Sequence, residues 1–160
     1  MEICFVPDND YGKFLREANL AQKHRGEIVD LHGHVLGHHD GIEFYTIGQR
    51  KGLGFAAGKP IYVLAIDTEK NRIVVGEDEA LRTSTFEIEG VNWISIEAPL
   101  APLRALAKIR HKHEPAEATV EALPGRRARI TFDAPQRAIT PGQAAVVYDG
   151  EVVLAGGWIK

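Results

Sequence analysis

The 160-residue chain is 44% hydrophobic and has a formal net charge of −3, which suits one or two small globular domains. Its single cysteine excludes an internal disulfide framework. No apolar stretch approaches the roughly 18–20 residues that a membrane-spanning helix needs, and the amino-terminal residues lack the pattern of a secretory signal. These features predict a cytoplasmic protein with no membrane partner.

The charge is distributed unevenly along the chain. Residues 1–81 carry 9 basic and 13 acidic residues, whereas residues 82–160 carry 10 basic and 9 acidic residues. Within residues 104–129 there are 7 basic residues against 3 acidic ones, and His111 and His113 lie in the same segment. This segment is interpreted either as a solvated strand face or as a strip that contacts phosphates.

The first half of the chain predicts one short helix followed by two hairpins. Residues 10–18 combine good helix formers with apolar residues at helical spacing. The stretch GEIVDLHGHVLGHHDG surrounds a turn at Gly33 and predicts a small hairpin. Two β-branched runs at 61–66 and 73–75, separated by a polar turn at 68–71, predict the second hairpin.

From Thr85 onward, six short apolar runs follow one another with no room for crossover helices. Turn signals at Gly125 and Gly150 are of the kind that joins antiparallel strands. We therefore expect a mainly β protein, with a short amino-terminal helix and a small central β module in residues 1–80 and an antiparallel β-barrel in residues 81–160. The charged run EDEALRTS marks the expected boundary.

One predicted barrel strand, LRALAKIRHK, alternates small or apolar residues with basic ones. Burial of the apolar set on one face would direct the basic set outward. The pattern therefore predicts a row of three cations along one strand, Lys108, Arg110 and Lys112, which is a candidate contact for RNA phosphates.

Two loop segments carry further candidate contacts. In YTIGQRKGLGFAAGKP, glycines that allow a ligand to approach the backbone bracket Arg50 and Lys51, although the spacing does not match a GxxxxGK[ST] phosphate loop. In FDAPQRAITPGQAAVVYDG, two prolines stiffen a loop that presents Gln136, Arg137 and Gln143 to bases or phosphates. Plain surface turns explain the composition of both segments about equally well.

The histidines of LHGHVLGHHDG form a second candidate site. Zinc requires three or four converging ligands, and the hairpin places His32 and His34 on one face that Asp40 can extend. No cysteine accompanies these histidines. We therefore expect solvent-exposed histidines and no metal.

Cys4 lies between Ile3 and Phe5. A lone cysteine in such a context is ordinarily a buried, inert thiol. A nucleophilic role would require a neighbouring base or cation that favours the thiolate, and the adjacent sequence supplies neither.

Taken in order, several long segments resemble the carboxy-terminal portion of the bacterial tRNA-specific 2-thiouridylases: EICFVPDNDYGKFL, GEIVD, VLGHHDGIEFYTIGQRKGLG, NRIVVG, AKIRH and FDAPQRAITPGQAAVVYDGEVVLAGGWI. Enzymes of that family replace the C2 oxygen of the wobble uridine with sulfur. The resemblance implies that Cys4 is catalytic and carries a persulfide, and that Arg110, His111 and Gln143 contact tRNA. It also implies a central β module followed by a barrel similar to those of translation factors. The candidates from composition complete the expected tRNA contacts, namely Lys108, Arg137, Arg50 and Lys51.

The sequence departs from the family pattern in what it lacks. In that family an α/β domain with an SGGVDS loop binds ATP, and a second cysteine releases the sulfur; neither feature occurs here. We therefore expect a fragment that binds no cofactor and is inactive by itself, with ATP serving the longer enzyme. The expected partners are tRNA and a sulfur-donor protein.

Two alternatives remain at this stage. A free-standing RNA-binding β-barrel without a catalytic role would have no need of a cysteine in the context ICFVPDND. A tRNA methyltransferase would need a site for S-adenosylmethionine, and no GxGxxG motif follows a predicted strand.

Overall fold

The computed structural model of the protein describes residues 24–55 and 58–160. Cys4 and the helix predicted at residues 10–18 lie outside the described residues. The chain divides into two compact units, with the boundary between Ala80 and Leu81. Within the described part of the chain, no helix is long and apolar enough to cross a membrane.

The first unit contains a four-stranded sheet built from two hairpins, which confirms both predicted hairpins. The first hairpin pairs β1 (Gly26–Val29) with β2 (Val35–His39), and the second pairs β3 (Tyr62–Asp67) with β4 (Arg72–Gly76). A parallel pairing of β1 with β4 joins them into the order β2-β1-β4-β3. The sheet buries a cluster of branched apolar side chains against the following loop: Ile28, Leu53, Val63, Ile73 and Val75.

A long loop connects β2 to β3 and includes a 3₁₀ turn at Ile42–Phe44. Part of this loop is fixed to the start of β3 by two backbone hydrogen bonds, from the Gly48 N–H to the Val63 carbonyl (2.8 Å) and from the Val63 N–H to the Gln49 carbonyl (2.9 Å). Leu53 is 6% exposed and anchors the next part of the loop in the core. The glycine-rich segment is therefore tied to the sheet on both sides of Arg50 and Lys51.

A second 3₁₀ turn at Asp78–Leu81 leads into the second unit, a closed barrel of six antiparallel strands. The strands are β5 (Arg82–Trp93), β6 (Leu103–Lys108), β7 (Ala116–Leu123), β8 (Arg127–Arg137), β9 (Ala144–Asp149) and β10 (Val152–Ile159). Their order around the barrel is β10-β5-β8-β7-β6-β9, with β10 paired to β5 and β9. Closure leaves no free sheet edge. The predicted mainly β fold with an antiparallel barrel is confirmed.

Alternating inward residues fill the barrel. Small side chains such as Ala107, Ala118 and Ala145 are fully buried beside larger ones, and this combination lets six short strands close around a dense interior. Phe132 stacks on Phe86 with ring centroids 5.7 Å apart.

Two sequence-based predictions about the barrel are wrong. The expected strand with Lys108, Arg110 and Lys112 in one outward row does not exist, because β6 ends at Lys108 and the chain turns at residues 110–113, where the His113 N–H donates to the Arg110 carbonyl (3.1 Å). Gln136 and Arg137 do not lie in a loop. They belong to β8 and pair with Thr83 and Arg82, after an irregularity that accommodates Pro135, which has no N–H to donate.

Candidate nucleic-acid interface

Most of the predicted tRNA contacts gather at one end of the barrel, where β6, β8 and β10 end and β5, β7 and β9 begin. We call this end the rim and the sides of the barrel the wall. Strand ends that are distant in sequence bring basic side chains to the rim, namely Arg82, Lys108, Arg110, His111, Lys112, Arg137 and Lys160. Neither Arg82 nor Lys160 was among the contacts predicted from the sequence. The signal that could have found them is the closure of the barrel, which brings its first and last strands together.

Arg110 is the best-defined cation of the rim. Its side chain is half-buried, and its Nη1 donates to the carbonyl oxygens of Arg137 (3.0 Å) and Ala138 (3.2 Å). A guanidinium has five N–H donors, and the two on Nη1 are used by these carbonyls. The other three, on Nε and Nη2, have no acceptor among the described residues. The contacts orient the side chain without neutralising its charge.

A second contact joins the same two segments. The Nε2 of His113 lies 2.9 Å from the Oε1 of Gln136, and the Nε2 of Gln136 donates to the Ala134 carbonyl (2.8 Å). Because the Gln136 amide nitrogen is already a donor, its oxygen accepts the proton of His113. His113 is 9% exposed, and its Nδ1 has no hydrogen-bond partner among the described residues. This buried contact fixes the β6–β7 turn to the end of β8.

The connection from β8 to β9 completes the rim. Ala138 has a left-handed backbone (φ 54°) that is unfavourable for a residue with a Cβ atom. Its N–H donates to the Leu81 carbonyl (2.9 Å), and its own carbonyl accepts from Arg110 and from the Thr140 hydroxyl (3.0 Å). Gln143 immediately precedes β9, and its carbonyl accepts the Ile159 N–H (2.8 Å). Its half-buried side chain is thereby placed beside the end of β10.

His111 and Lys112 lie in the turn after Arg110 and are exposed, whereas Lys108 ends β6 and is half-buried. Arg137 is half-buried at the end of β8, directly opposite Arg82 in the strand register. The structure therefore brings five of the seven predicted tRNA contacts to the rim. The other two, Arg50 and Lys51, belong to the first unit.

Of the four remaining basic residues of segment 104–129, Arg104, Arg127 and Arg129 lie on the wall and pair with carboxylates, whereas Arg126 donates from Nε to the Val91 carbonyl (3.2 Å). Arg104 makes a bidentate contact with Asp133, with both N–O distances 2.7 Å, and this contact lowers the pKa of Asp133 below its ordinary value. Arg127 and Arg129 both reach Glu87, at 3.5 and 3.2 Å. Pairing on the wall thus offsets part of the positive charge that the sequence shows for this segment.

In the glycine-rich loop of the first unit, Arg50 and Lys51 are exposed. Gln49 fixes their position, because its Oε1 accepts the Thr46 N–H (3.0 Å) and its Nε2 donates to the Lys51 carbonyl (2.9 Å). Beside them lies an open groove of about 690 Å³. The loop is therefore ordered around two exposed cations.

The histidine hairpin does not form a metal site within the described residues, where no group of three or more His, Cys, Asp or Glu side chains converges. His34 Nδ1 instead lies 2.9 Å from Asp30, and this hydrogen bond is the main cause that lowers the pKa of Asp30 to about 2. The expectation of exposed histidines is wrong for His39, which is 2% exposed and contacts the Asn71 carbonyl at 3.2 Å. Gly26 makes room for this ring, since a Cβ there would lie 2.5 Å from its Nε2.

Comparison with known proteins identifies two family models along the chain. Residues 12–77 match a model described as "tRNA methyl transferase PRC-barrel domain", and residues 83–159 match one described as "Aminomethyltransferase beta-barrel domain". The two matches correspond to the two units of the structure.

Curated relatives with the name tRNA-specific 2-thiouridylase MnmA match 99% of the chain. The protein from Koribacter versatilis is 49% identical over 164 residues, that from Acidobacterium capsulatum 49% over 167 residues, and that from Acetivibrio thermocellus 47% over 159 residues. The chain spans only 44%, 45% and 44% of these relatives, respectively. The chain therefore belongs to the tRNA-specific 2-thiouridylase family, and it matches the carboxy-terminal portion of that family's proteins, as the sequence motifs predicted.

Proposed function

We propose that this chain is the tRNA-binding and sulfur-carrying portion of an enzyme that replaces the C2 oxygen of the wobble uridine of tRNA with sulfur. The observation that carries the proposal is the 47–49% identity, over 99% of the chain, to relatives with the name tRNA-specific 2-thiouridylase. The rim supports the RNA-binding part of the proposal.

The proposed chemistry assigns sulfur transfer to Cys4. The Cys4 thiolate takes the outer sulfur of a persulfide on a donor protein, and the donor leaves as a thiolate. The outer sulfur of the Cys4 persulfide then attacks C2 of the uridine and displaces the activated oxygen. A second cysteine of the longer enzyme attacks the inner sulfur, so that a disulfide forms and the thiolated base departs. ATP, held by another part of the longer enzyme, supplies the adenylate that makes the C2 oxygen a leaving group.

The proposed role of the barrel is to hold the tRNA backbone. Arg110 offers three N–H donors from a fixed position, and Gln143 lies on the β8–β9 connection, with its backbone hydrogen-bonded to Thr140 and Ile159. Phosphate contacts by cations of this kind release counterions and dominate the affinity for nucleic acids. His111, Lys108 and Arg137 extend the proposed contact along the rim.

The two alternatives fit these observations less well. A free-standing RNA-binding barrel does not explain identity that extends through both units and through the segment around Cys4. The description of one matching model names a methyl transferase, but the relatives that match 99% of the chain are named thiouridylases. We therefore propose thiolation as the reaction.

A hybrid enzyme tests the proposed function. The matching carboxy-terminal part of the Koribacter versatilis thiouridylase would be replaced by this chain, and the hybrid expressed in a bacterium that lacks its own thiouridylase. Mass spectrometry of hydrolysed tRNA should detect restored 2-thiouridine with the unaltered hybrid and with Lys70→Ala, a change in an exposed turn. The Cys4→Ser hybrid should bind tRNA and form no 2-thiouridine. Normal thiolation by the Cys4→Ser hybrid would contradict the proposal.

A further inference from the structure

The groove beside the glycine-rich loop has a composition that the rim does not share. Its lining combines four apolar side chains, Leu53, Phe55, Pro60 and Ile61, with three glycines and two charged residues, Arg50 and Lys59. No acidic side chain belongs to the lining described. A volume of about 690 Å³ is within the usual range for small-molecule sites.

The two cations of the groove differ in their availability. The Lys59 ammonium contacts the Glu77 carboxylate, which lies outside the lining. Arg50 is exposed and makes no hydrogen bond or ion pair with the described residues. Arg50 is therefore the group in the groove that can meet an anion at full charge.

The apolar part of the groove is held in place by the sheet. Phe55 packs over Gly37 of β2, where a Cβ would lie 3.4 Å from its ring. Leu53 is buried in the core, and the Gln49 side chain braces the backbone before it. The aromatic ring and Arg50 are thus presented from a fixed frame, which lowers the entropic cost of binding.

The glycines open the backbone of the groove to a ligand. Gly52 and Gly54 have left-handed backbones (φ 77° each), which favour residues without a Cβ atom. A Cβ at Gly54 would meet no described atom within 4 Å, so the described residues leave the space above this residue open. A ligand can therefore approach the main chain between Arg50 and Phe55.

We propose that this groove binds one nucleotide of the RNA substrate, with the base against Phe55 and the apolar lining and its phosphate on Arg50. An aromatic ring, a free guanidinium and exposed backbone amides are the groups that recognise an unpaired nucleotide. The inference rests on the proposed function, because it takes RNA to be the substrate. It adds a second RNA contact, in the first unit, to the proposed rim of the barrel.

Nuclear magnetic resonance of the ¹⁵N-labelled 160-residue chain tests the inference with a mononucleotide. Uridine 5′-monophosphate should shift the amide signals of Gly52, Gly54 and Gly58, and uridine or inorganic phosphate alone should bind at least about tenfold more weakly. Arg50→Gln should reduce the affinity for the nucleotide to that for uridine. Phe55→Leu, which keeps an apolar side chain over Gly37, should weaken binding about tenfold through loss of stacking. Lys70→Ala should bind like the unaltered chain.

Competition with tRNA separates this inference from the proposed function. We expect tRNA to displace the mononucleotide from the groove. If tRNA binds and the mononucleotide stays in place, or if the mononucleotide never shifts the loop amides, the groove inference is overturned while the rim can still bind RNA. Binding of free ATP with a dissociation constant in the low micromolar range would show that the groove binds a free nucleotide. That result would also overturn the groove inference. Failure of tRNA to bind the chain at all would count against both proposals.

Discussion

Arg104 on the wall of the barrel and Arg110 at its rim are the same kind of side chain, but their contacts have opposite effects on charge. On the wall, Arg104 meets Asp133 and Glu117, and Arg129 meets Glu87. At the rim, Arg110 is held by the carbonyl oxygens of Arg137 and Ala138. A carboxylate cancels the charge of an arginine, whereas a carbonyl dipole orients the side chain and leaves its charge in place.

This difference shows why a count of basic residues was a poor guide to the RNA-binding surface. Segment 104–129 carries 7 basic residues against 3 acidic ones, yet Arg104, Arg127 and Arg129 are paired on the wall. The partners of Arg104 and Arg127 include Asp133 and Glu87, which lie outside the segment. Ion pairs between strands therefore determine which basic side chains are available to contact an RNA phosphate.

The largest effect on this barrel should come from its interior rather than from any ion pair. Phe132 is 2% exposed and stacks on Phe86, with the ring of His113 6.1 Å away. Phe132→Ala should lower the free energy of unfolding by about 3–5 kcal/mol, because it removes buried area and leaves a cavity. Urea unfolding followed by tryptophan fluorescence measures this value. Ile94→Ala, at a residue that is 59% exposed, is the control and should change the value by less than about 0.5 kcal/mol. Similar losses for the two variants would show that the aromatic stack does not support the barrel.

The next effect concerns the attachment of the rim to the wall. Gln136→Ala removes the acceptor of the buried His113 Nε2–H, which should cost about 1–3 kcal/mol of unfolding free energy. Gln136→Glu keeps an acceptor at this position and should cost less. The same unfolding experiment at neutral pH measures both variants. Equal losses would mean that packing at Gln136, and not its hydrogen bond to His113, secures the turn.

The smallest effect should be the pH dependence of the wall pair Arg104–Asp133. The hydrogen bond from Arg104 lowers the pKa of Asp133 in the folded state, so the stabilisation is present above the unfolded-state pKa and is lost as the pH falls through the folded-state pKa. Both side chains are more than half exposed, so solvent screens the pair. Carboxyl ¹³C titration should place the Asp133 midpoint below its ordinary value, and Arg104→Gln should raise it. If Arg104→Gln leaves the Asp133 midpoint unchanged, the contact with Arg104 is not what lowers the pKa of Asp133, and the wall pair does not support this comparison.

Much of the fold followed from local sequence patterns, and much of the site did not. Alternating apolar residues and turn signals predicted both hairpins of the sheet and the six strands of the barrel. The end of β6 at Lys108 could not be read from the alternation, which continues through Ile109 and Lys112 in the sequence. The turn that follows β6 includes Arg110, whose side chain contacts carbonyls 27 and 28 residues away in the sequence.

The two segments that were predicted as loops, around Gln136 and around Arg50, also depend on contacts that a local sequence pattern does not show. Gln136 and Arg137 were expected in a loop because of the neighbouring prolines, but the pairing of β8 with β5 keeps them in a strand. The family resemblance predicted Arg110, His111 and Gln143 as tRNA contacts. Closure of the barrel explains how residues so far apart in sequence lie at the same end of the barrel. The groove beside Arg50 depends on the packing of Phe55 over Gly37, which no local pattern reveals.

The measurement that tests the central claim most directly is the salt dependence of tRNA binding by rim and wall variants. Fluorescence anisotropy with a labelled tRNA across a salt series at fixed pH gives the slope of log K against log salt concentration, which is about −0.7 to −0.9 per neutralised phosphate. Arg110→Ala should reduce the magnitude of this slope by about one unit. Arg129→Ala on the wall and Lys70→Ala in the β3–β4 turn should leave it unchanged. Equal losses for Arg110→Ala and Arg129→Ala would show that the attraction is diffuse and that the rim is not the binding surface.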